Sequence, residues 1–213
     1  MKDIIIVCAG SFGKEIYTIV KAINRKARAE GREEEYRILG FLDDNPKALE
    51  GSGYPEKIIG SISDWHPVGD EVYALGAAFA GVKIKLAELL KSRGCRFETL
   101  VAPWSLVSED CVMGEGCFIT AYSISAGVVI GDFVSVMGSM LCPGARIDDY
   151  STTTGFTVVE NATIGKGVFV GSHAVIASGV HVNDFAQVSA GSIVQNDVKE
   201  GSTVFGVPAV EID

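Results

Sequence analysis

Residues 129–165 read VIGDFVSVMGSMLCPGARIDDYSTTTGFTVVENATIG, and the isoleucines Ile130, Ile147 and Ile164 stand 17 residues apart in and around this stretch. Working outward, Met113 precedes the ladder by another 17 and Val182 follows it by 18. Six positions after each rung comes a second small or apolar residue: Ile119, Val136, Thr153, Val170 and Val188. Six further on comes a third: Ser125, Cys142, Val159, Ile176 and Val194. The first column is followed by the turn formers Gly114, Gly131, Asp148, Gly165 and Asn183. A chain that turns every six residues and sends one side chain inward per strand winds into a parallel solenoid. Its coils pair backbone to backbone, and like side chains stack in columns that fill the interior. Flat faces and sharp edges favour chemistry where copies of the chain meet.

Upstream the period changes. Ile4 to Cys8 is an apolar run suited to a buried parallel strand, Gly10 to Gly13 is a loop, and Ile16, Ile19, Val20 and Ile23 recur at helical spacing. Ile38 to Leu42 and Val72 to Leu75 read as further strands, Lys83 to Leu90 as a helix closed by Gly94, and Phe97 to Val101 as the last strand. Alternating strands and helices predict a small doubly wound, Rossmann-like α/β domain over residues 1–103, with the coils over 104–213 and Pro103 at the boundary.

Hydrophobic residues make up 47% of the 213, enough for two cores, yet no apolar run approaches the ~18 residues of a membrane span. Five cysteines, Cys8, Cys95, Cys111, Cys117 and Cys142, are odd in number and lack metal-ligand spacing, so most read as small core residues. Cys142 falls in the inward column. With no export signal, the expectation is a reduced, cytoplasmic protein without a metal site. Residues 1–103 carry 15 basic and 15 acidic side chains, whereas residues 104–213 carry 3 and 12. That imbalance disfavours nucleic acid and anionic membranes as partners, and it reads as solvated, solubilising surface.

Two places in the first domain suit an anionic ligand. Gly10, Ser11, Phe12 and Gly13 lie between the first strand and its helix, where backbone N–H groups and the helix dipole favour a phosphate, although Cys8 takes the place of the first glycine of GxGxxG. Asp43 and Asp44 follow the second strand, on the edge where such sheets bind ligands, and there a carboxylate accepts hydrogen bonds from a ribose or base. An Asp-Asp-Asn-Pro turn and a glycine turn also exist without any ligand.

The sequence resembles the sialic-acid-type sugar O-acyltransferase family, the NeuD and PglD-like hexapeptide acetyltransferases. The resemblance rests on IIIVCAGSFGK at 4–14, GFLDDN at 40–45, LVAPWS at 100–105, the coils, and AGSIVQNDVKEGSTVFGVPA at 190–209. It implies a left-handed parallel β-helix, a homotrimer, a nucleotide-activated sugar on the first domain and acetyl-CoA along a coil edge between two subunits. The implied reaction is acetyl transfer to a sugar amine or hydroxyl for a surface glycan.

The implied chemistry needs a proton acceptor and N–H donors for an oxyanion. The family's Glu-His pair maps onto Pro143 and Gly144, its second histidine onto Thr152, and its junction histidine onto Ala102. His66, His173 and His181 remain, with His66 in a loop beside Trp65 and Pro67. The catalytic candidates are His173, at a corner of the fourth coil, and Glu160 with Asn161, which stand one coil after the missing pair with asparagine in the histidine's place. Asparagine orients a substrate or an amide but takes up no proton at neutral pH. His181 precedes an inward valine and so points outward. For the pantetheine arm, the resemblance assigns Asn161, Ser172 and Gly191, while Val210 stands where the family carries a basic tail residue. Three readings follow: a nucleotide-sugar acetyltransferase, a trimeric relative that binds without catalysing, and, from the glycine loop alone, a nucleotide-dependent oxidoreductase.

Overall fold

A computed structural model describes residues 1–212. The chain separates into two compact units, residues 1–78 with 82–103, and residues 79–81 with 104–213.

The first unit holds a parallel five-stranded sheet. Its strands are β1 (Lys2–Val7), β2 (Tyr36–Leu42), β3 (Ile58–Gly60), β4 (Val72–Leu75) and β5 (Arg96–Phe97), in the order β3-β2-β1-β4-β5. Helix α1 (Ser11–Ala29) follows β1, and α2 (Ala80–Ser92) follows β4. The strand order reverses direction between β1 and β4, so the loops after β1, β2 and β4 share the ligand-binding edge of such a sheet. Ile4, Ile5, Ile6 and Val7 are fully buried, as a central strand covered on both faces requires. Ile16, Ile19, Val20 and Ile23 of α1 pack inward at helical spacing. The expected strand at 97–101 is two short ones, Arg96–Phe97 and Leu100–Val101.

The second unit is a parallel β-helix with three faces. Face 1 carries Met113, Ile130, Ile147, Ile164 and Val182 in mutual register. Face 2 carries Ile119, Val136, Thr153, Val170 and Val188. Both columns agree with the sequence. On face 3 the register is Ile124, Leu141, Val159, Ile176 and Val194. Ser125 and Cys142 are therefore not inward: Leu141 is fully buried and Cys142 is half-buried on the corner after it. The 2–3 corner of the first two coils is one residue shorter than in later ones, so a count of six overshoots there.

Thr153, fully buried in an apolar column, is tolerated because Ser139 Oγ lies 2.9 Å from its hydroxyl. The corners need left-handed backbone. Phe133, Tyr150, Phe156, His173 and Phe185 adopt φ of 55–62°, a conformation that costs a non-glycine residue about 1 kcal/mol or more. The rings of Phe133 and Phe185 lie over Gly116 and Gly167, where an added Cβ would sit 2.7 Å from ring carbons.

The acidic excess is only partly solvated surface. Asp110, Asp132, Asp149, Glu160, Asp184 and Asp197 each accept a backbone N–H from an adjacent coil, of Gly127, Glu115, Asp132, Ser178, Lys166 and His181 respectively, at 2.8–3.0 Å. Corner N–H groups fall outside the strand ladders and need acceptors, which these carboxylates supply.

Candidate functional site

In the first unit, the chain leaves β1 at Cys8, whose φ of 71° supplies the left-handed turn usually given by a glycine. Burial pushes the Cys8 thiol up to about 12, with Asp43 and Asp44 adding to the effect, so it is an inert packing group. Ala9 N–H donates to Asp43 Oδ2 at 2.8 Å, and Asn45 N–H donates to Asp43 Oδ1 at 2.9 Å. The Asp43 carboxylate thus ties the loop after β1 to the turn after β2.

Gly10 caps α1 without a side-chain hydrogen bond, and no acidic residue lies in the first turn. Space beside Gly10 is open, and Gly10 and Ser11 are exposed. The first-turn N–H groups here form an anion-accepting end. Phe12 is half-buried and Gly13 buried. A Cβ on Gly13 would collide with the Cys8 carbonyl oxygen, and one on Gly76 would come 2.7 Å from Gly13 Cα. Gly13 serves close packing of α1 on the strand ends.

Asp44 Oδ1 accepts Ser61 Oγ–H at 2.5 Å and Ser63 N–H at 3.0 Å. These bonds, Ser61's first, hold its carboxyl below the usual range. Beside the loop, Tyr54 packs edge-on against Tyr17 at 4.9 Å, and the Lys14 ammonium lies 6.0 Å from the Tyr54 ring. Neither Tyr17 nor Tyr54 is marked by a motif, since α1 and the loop before β3 meet only in the fold.

In the second unit, the candidates divide between two corners that flank face 3. At the 2–3 corner stand Ser172, His173 and Gly191. Gly191 N–H donates to Ser172 O at 2.8 Å, and the Ser172 and Thr154 hydroxyls are 3.1 Å apart. His173 is exposed, with its ring 5.0 Å from that of Phe156. Beside this corner, Thr154, Phe169, Gly171, Ser172 and residues 187–190 line a groove of about 350 Å³. Sequence reading found Ser172 there and missed the rest, because the groove is made of residues 15 to 18 apart on successive coils.

At the 3–1 corner stand Gly144, Glu160 and Asn161. Gly144 has φ of 80°, and a Cβ added to it would lie 2.7 Å from Asn161 Oδ1. The Asn161 carboxamide therefore fills the space into which a longer residue at 144 would begin. Glu160 Oε2 accepts Ser178 N–H at 2.9 Å, so this carboxylate is a corner clamp through one oxygen. Asn161 does not share an edge with Ser172 and Gly191. Within one chain, the three residues expected along the pantetheine arm do not converge.

Fold and repeat define a two-unit chain of the hexapeptide class, a left-handed parallel β-helix behind an α/β unit. Within that class, residues 3–84 match the PglD N-terminal domain. The chain is 30% identical over 125 residues to UDP-N-acetylbacillosamine N-acetyltransferase of Bacillus subtilis (strain 168), a match over 57% of this chain and 52% of that protein. The chain thus spans about half the length of that curated relative. The acetyltransferase domain of PglB from Neisseria gonorrhoeae FA1090, solved with acetyl coenzyme A, superposes with a TM-score of 0.80 at 22% identity over 99% of each chain. A histidine-to-asparagine mutant of perosamine N-acetyltransferase from Caulobacter crescentus, in complex with CoA and GDP-perosamine, gives 0.82 at 19% identity over 100% of this chain and 98% of that one. At these identities the superpositions speak for the fold.

Proposed function

We propose that this protein transfers the acetyl group of acetyl-CoA to an amine or hydroxyl of a nucleotide-linked sugar, as a cytoplasmic homotrimer, in the synthesis of a surface glycan. The observation that carries the reading is the pairing, in one chain, of an uncapped α1 end behind a PglD-type loop with a coil groove lined by small and hydroxyl side chains. The sugar nucleotide's phosphates would meet the N–H groups at Gly10 and Ser11. Asp43 would hold that loop in shape, while Asp44 would read the nucleoside. The donor's pantetheine arm would lie against Ser172 and Gly191 with His173 at the rim. The relatives named above bear on this reading through their bound acetyl coenzyme A, CoA and GDP-perosamine.

Face 3 supports trimerisation. Its outward column is Leu106, Ser123, Met140, Val158, Val175 and Ile193. Leu106 is 72% and Met140 42% exposed in the single chain. Such an apolar stripe is covered by packing against copies of itself. A threefold arrangement about face 3 sets the 2–3 corner of one copy beside the 3–1 corner of the next. Ser172 and Gly191 of one chain and Asn161 of its neighbour then share a cleft, which accounts for their division within the monomer.

In that cleft the acceptor nitrogen or oxygen attacks the thioester carbonyl, and Asn161 orients the reacting groups through its carboxamide. A second reading, binding without transfer, is favoured by Asn161 filling the space over Gly144. The perosamine N-acetyltransferase carrying asparagine for a histidine still holds both CoA and GDP-perosamine. Calorimetry with acetyl-CoA and with UDP-, GDP- and TDP-linked amino sugars, followed by a free-thiol assay, separates the two. Saturable binding of both ligands with thiol release supports transfer, whereas binding without release supports the second reading.

A further inference from the structure

Of the three histidines, His181 alone faces a carboxylate among the described residues. It lies on the outer surface of face 1, in the strand His181–Val182, which pairs with Thr163–Ile164 on one side. On the other side Val182 bridges Val198, which puts Asp197 level with His181. His181 N–H donates to Asp197 Oδ1 at 2.8 Å, and Val198 N–H donates to the His181 carbonyl at 2.9 Å. The imidazole Nδ1 stands 3.7 Å from the same Asp197 oxygen. The backbone is thus fixed on both sides of the pair, with the Asp197 carboxylate on the Nδ1 side of the ring. A small turn of the ring brings the Nδ1 proton onto that carboxylate, which leaves the Nε2 lone pair to take a proton.

The pair also sits beside the 3–1 corner. Gly179 N–H donates to Asn161 O at 2.7 Å and Ser178 N–H donates to Glu160, so His181 begins its strand two residues after the turn that Asn161 and Glu160 hold. The turn level with Asn161 in the next coil thus leads directly into His181, and Asp197 stands level with His181 one coil further on. His173, at the other corner, has Phe156 as its ring neighbour and no ion-pair partner among the described residues.

Building on the transfer reading above, we propose that His181 is the proton acceptor of the reaction and that Asp197 is its positioning residue. As the acceptor nitrogen forms its bond to the acetyl carbon, its proton passes to His181 Nε2. Cleavage of the carbon–sulfur bond then releases CoA thiolate, which takes that proton from the imidazolium. The products are the sugar acetamide and CoA thiol, and His181 returns to its neutral form. The groups facing His181 are Asp197 and Thr163 from the adjoining strands, with Arg146 one strand beyond Thr163 and Glu160 at the corner. Asp197 is the nearest of the charges.

The experiment compares wild type, His181→Gln, Asp197→Asn and the control His66→Gln, with acetyl-CoA and an amino-sugar nucleotide, across pH 5.5–9. His181→Gln is expected to lower kcat by about 10² or more, with acetyl-CoA affinity within about twofold of wild type. Asp197→Asn is expected to lower kcat by about tenfold with KM and acetyl-CoA affinity within about twofold of wild type, a split that loss of mere corner stability does not produce. His66→Gln should behave as wild type. An active wild type with an equally active His181→Gln overturns this inference alone. A wild type that binds both ligands and releases no thiol overturns the transfer reading and this inference with it.

Discussion

Replacing Asp43 by alanine tests how the binding edge of the first unit is held. The change removes the acceptor of Ala9 N–H, a group on a residue only 1% exposed, and that of Asn45 N–H on an exposed turn. Leaving a buried N–H unpaired costs about 1–3 kcal/mol, and the exposed bond, whose donor turns to water, adds about 0.5. A loss of about 2 kcal/mol in a unit of roughly 100 residues lowers its unfolding midpoint by about 8–16 °C. Scanning calorimetry should show this shift in the transition of the α/β unit. Asp43→Asn keeps one of the two acceptors and should lose about half as much. Nucleotide-sugar affinity should fall in parallel, because the N–H groups beyond Ala9 lose their aim. A midpoint for Asp43→Ala within about 2 °C of wild type would refute the idea that this carboxylate holds the loop.

Other expectations follow from the same geometry. Met140→Glu or Val175→Glu on face 3 should yield monomers of about 22.5 kDa by light scattering, with the coils still folded, while an assembly that persists removes face 3 as the interface. Gly167→Ala should destabilise the coils by about 1–3 kcal/mol, measured by denaturant unfolding, because φ is 67° and the new methyl meets the Phe185 ring. Asp44 has a folded pKa held below its unfolded value, so its contribution is present above about pH 4 and is lost as pH falls through the folded pKa. Asp44→Asn should accordingly flatten the acid side of the stability profile of the first unit, read as unfolding midpoint against pH.

Much of the fold was legible because it is written in single-residue periods. Met113, Ile130, Ile147, Ile164 and Val182 occupy one column each coil, and a spacing of 17 or 18 identifies them without any tertiary information. Cys142 shows the limit of that method: one residue fewer in a corner moves the inward role to Leu141, and no local signal marks the omission. The corner aromatics were opaque for a related reason, since Phe133 over Gly116 and Phe185 over Gly167 are contacts between coils.

The site was legible in parts. Gly10 to Gly13 stood out as a glycine loop before a helix, but the packing role of Gly13 did not, because only the fold reveals how near the Cys8 carbonyl comes. That Asp43 ties two loops was not legible, because each of the loops looks complete by itself in sequence. Asn161 and Ser172 are only 11 residues apart yet occupy different corners. The pairing of His181 with Asp197 depends on the shortened last coil, a spacing of 16 that the ladder of 17 and 18 does not anticipate.

The most direct test of the central claim is release of free thiol from acetyl-CoA, followed at pH 8 with the full chain and each of a set of nucleotide-linked amino sugars, with the acetylated product identified by mass. The account predicts thiol release that requires both the donor and one particular sugar nucleotide, with one acetyl group gained per thiol formed. Saturable binding of both ligands without thiol release, or thiol release indifferent to the sugar nucleotide, would contradict it.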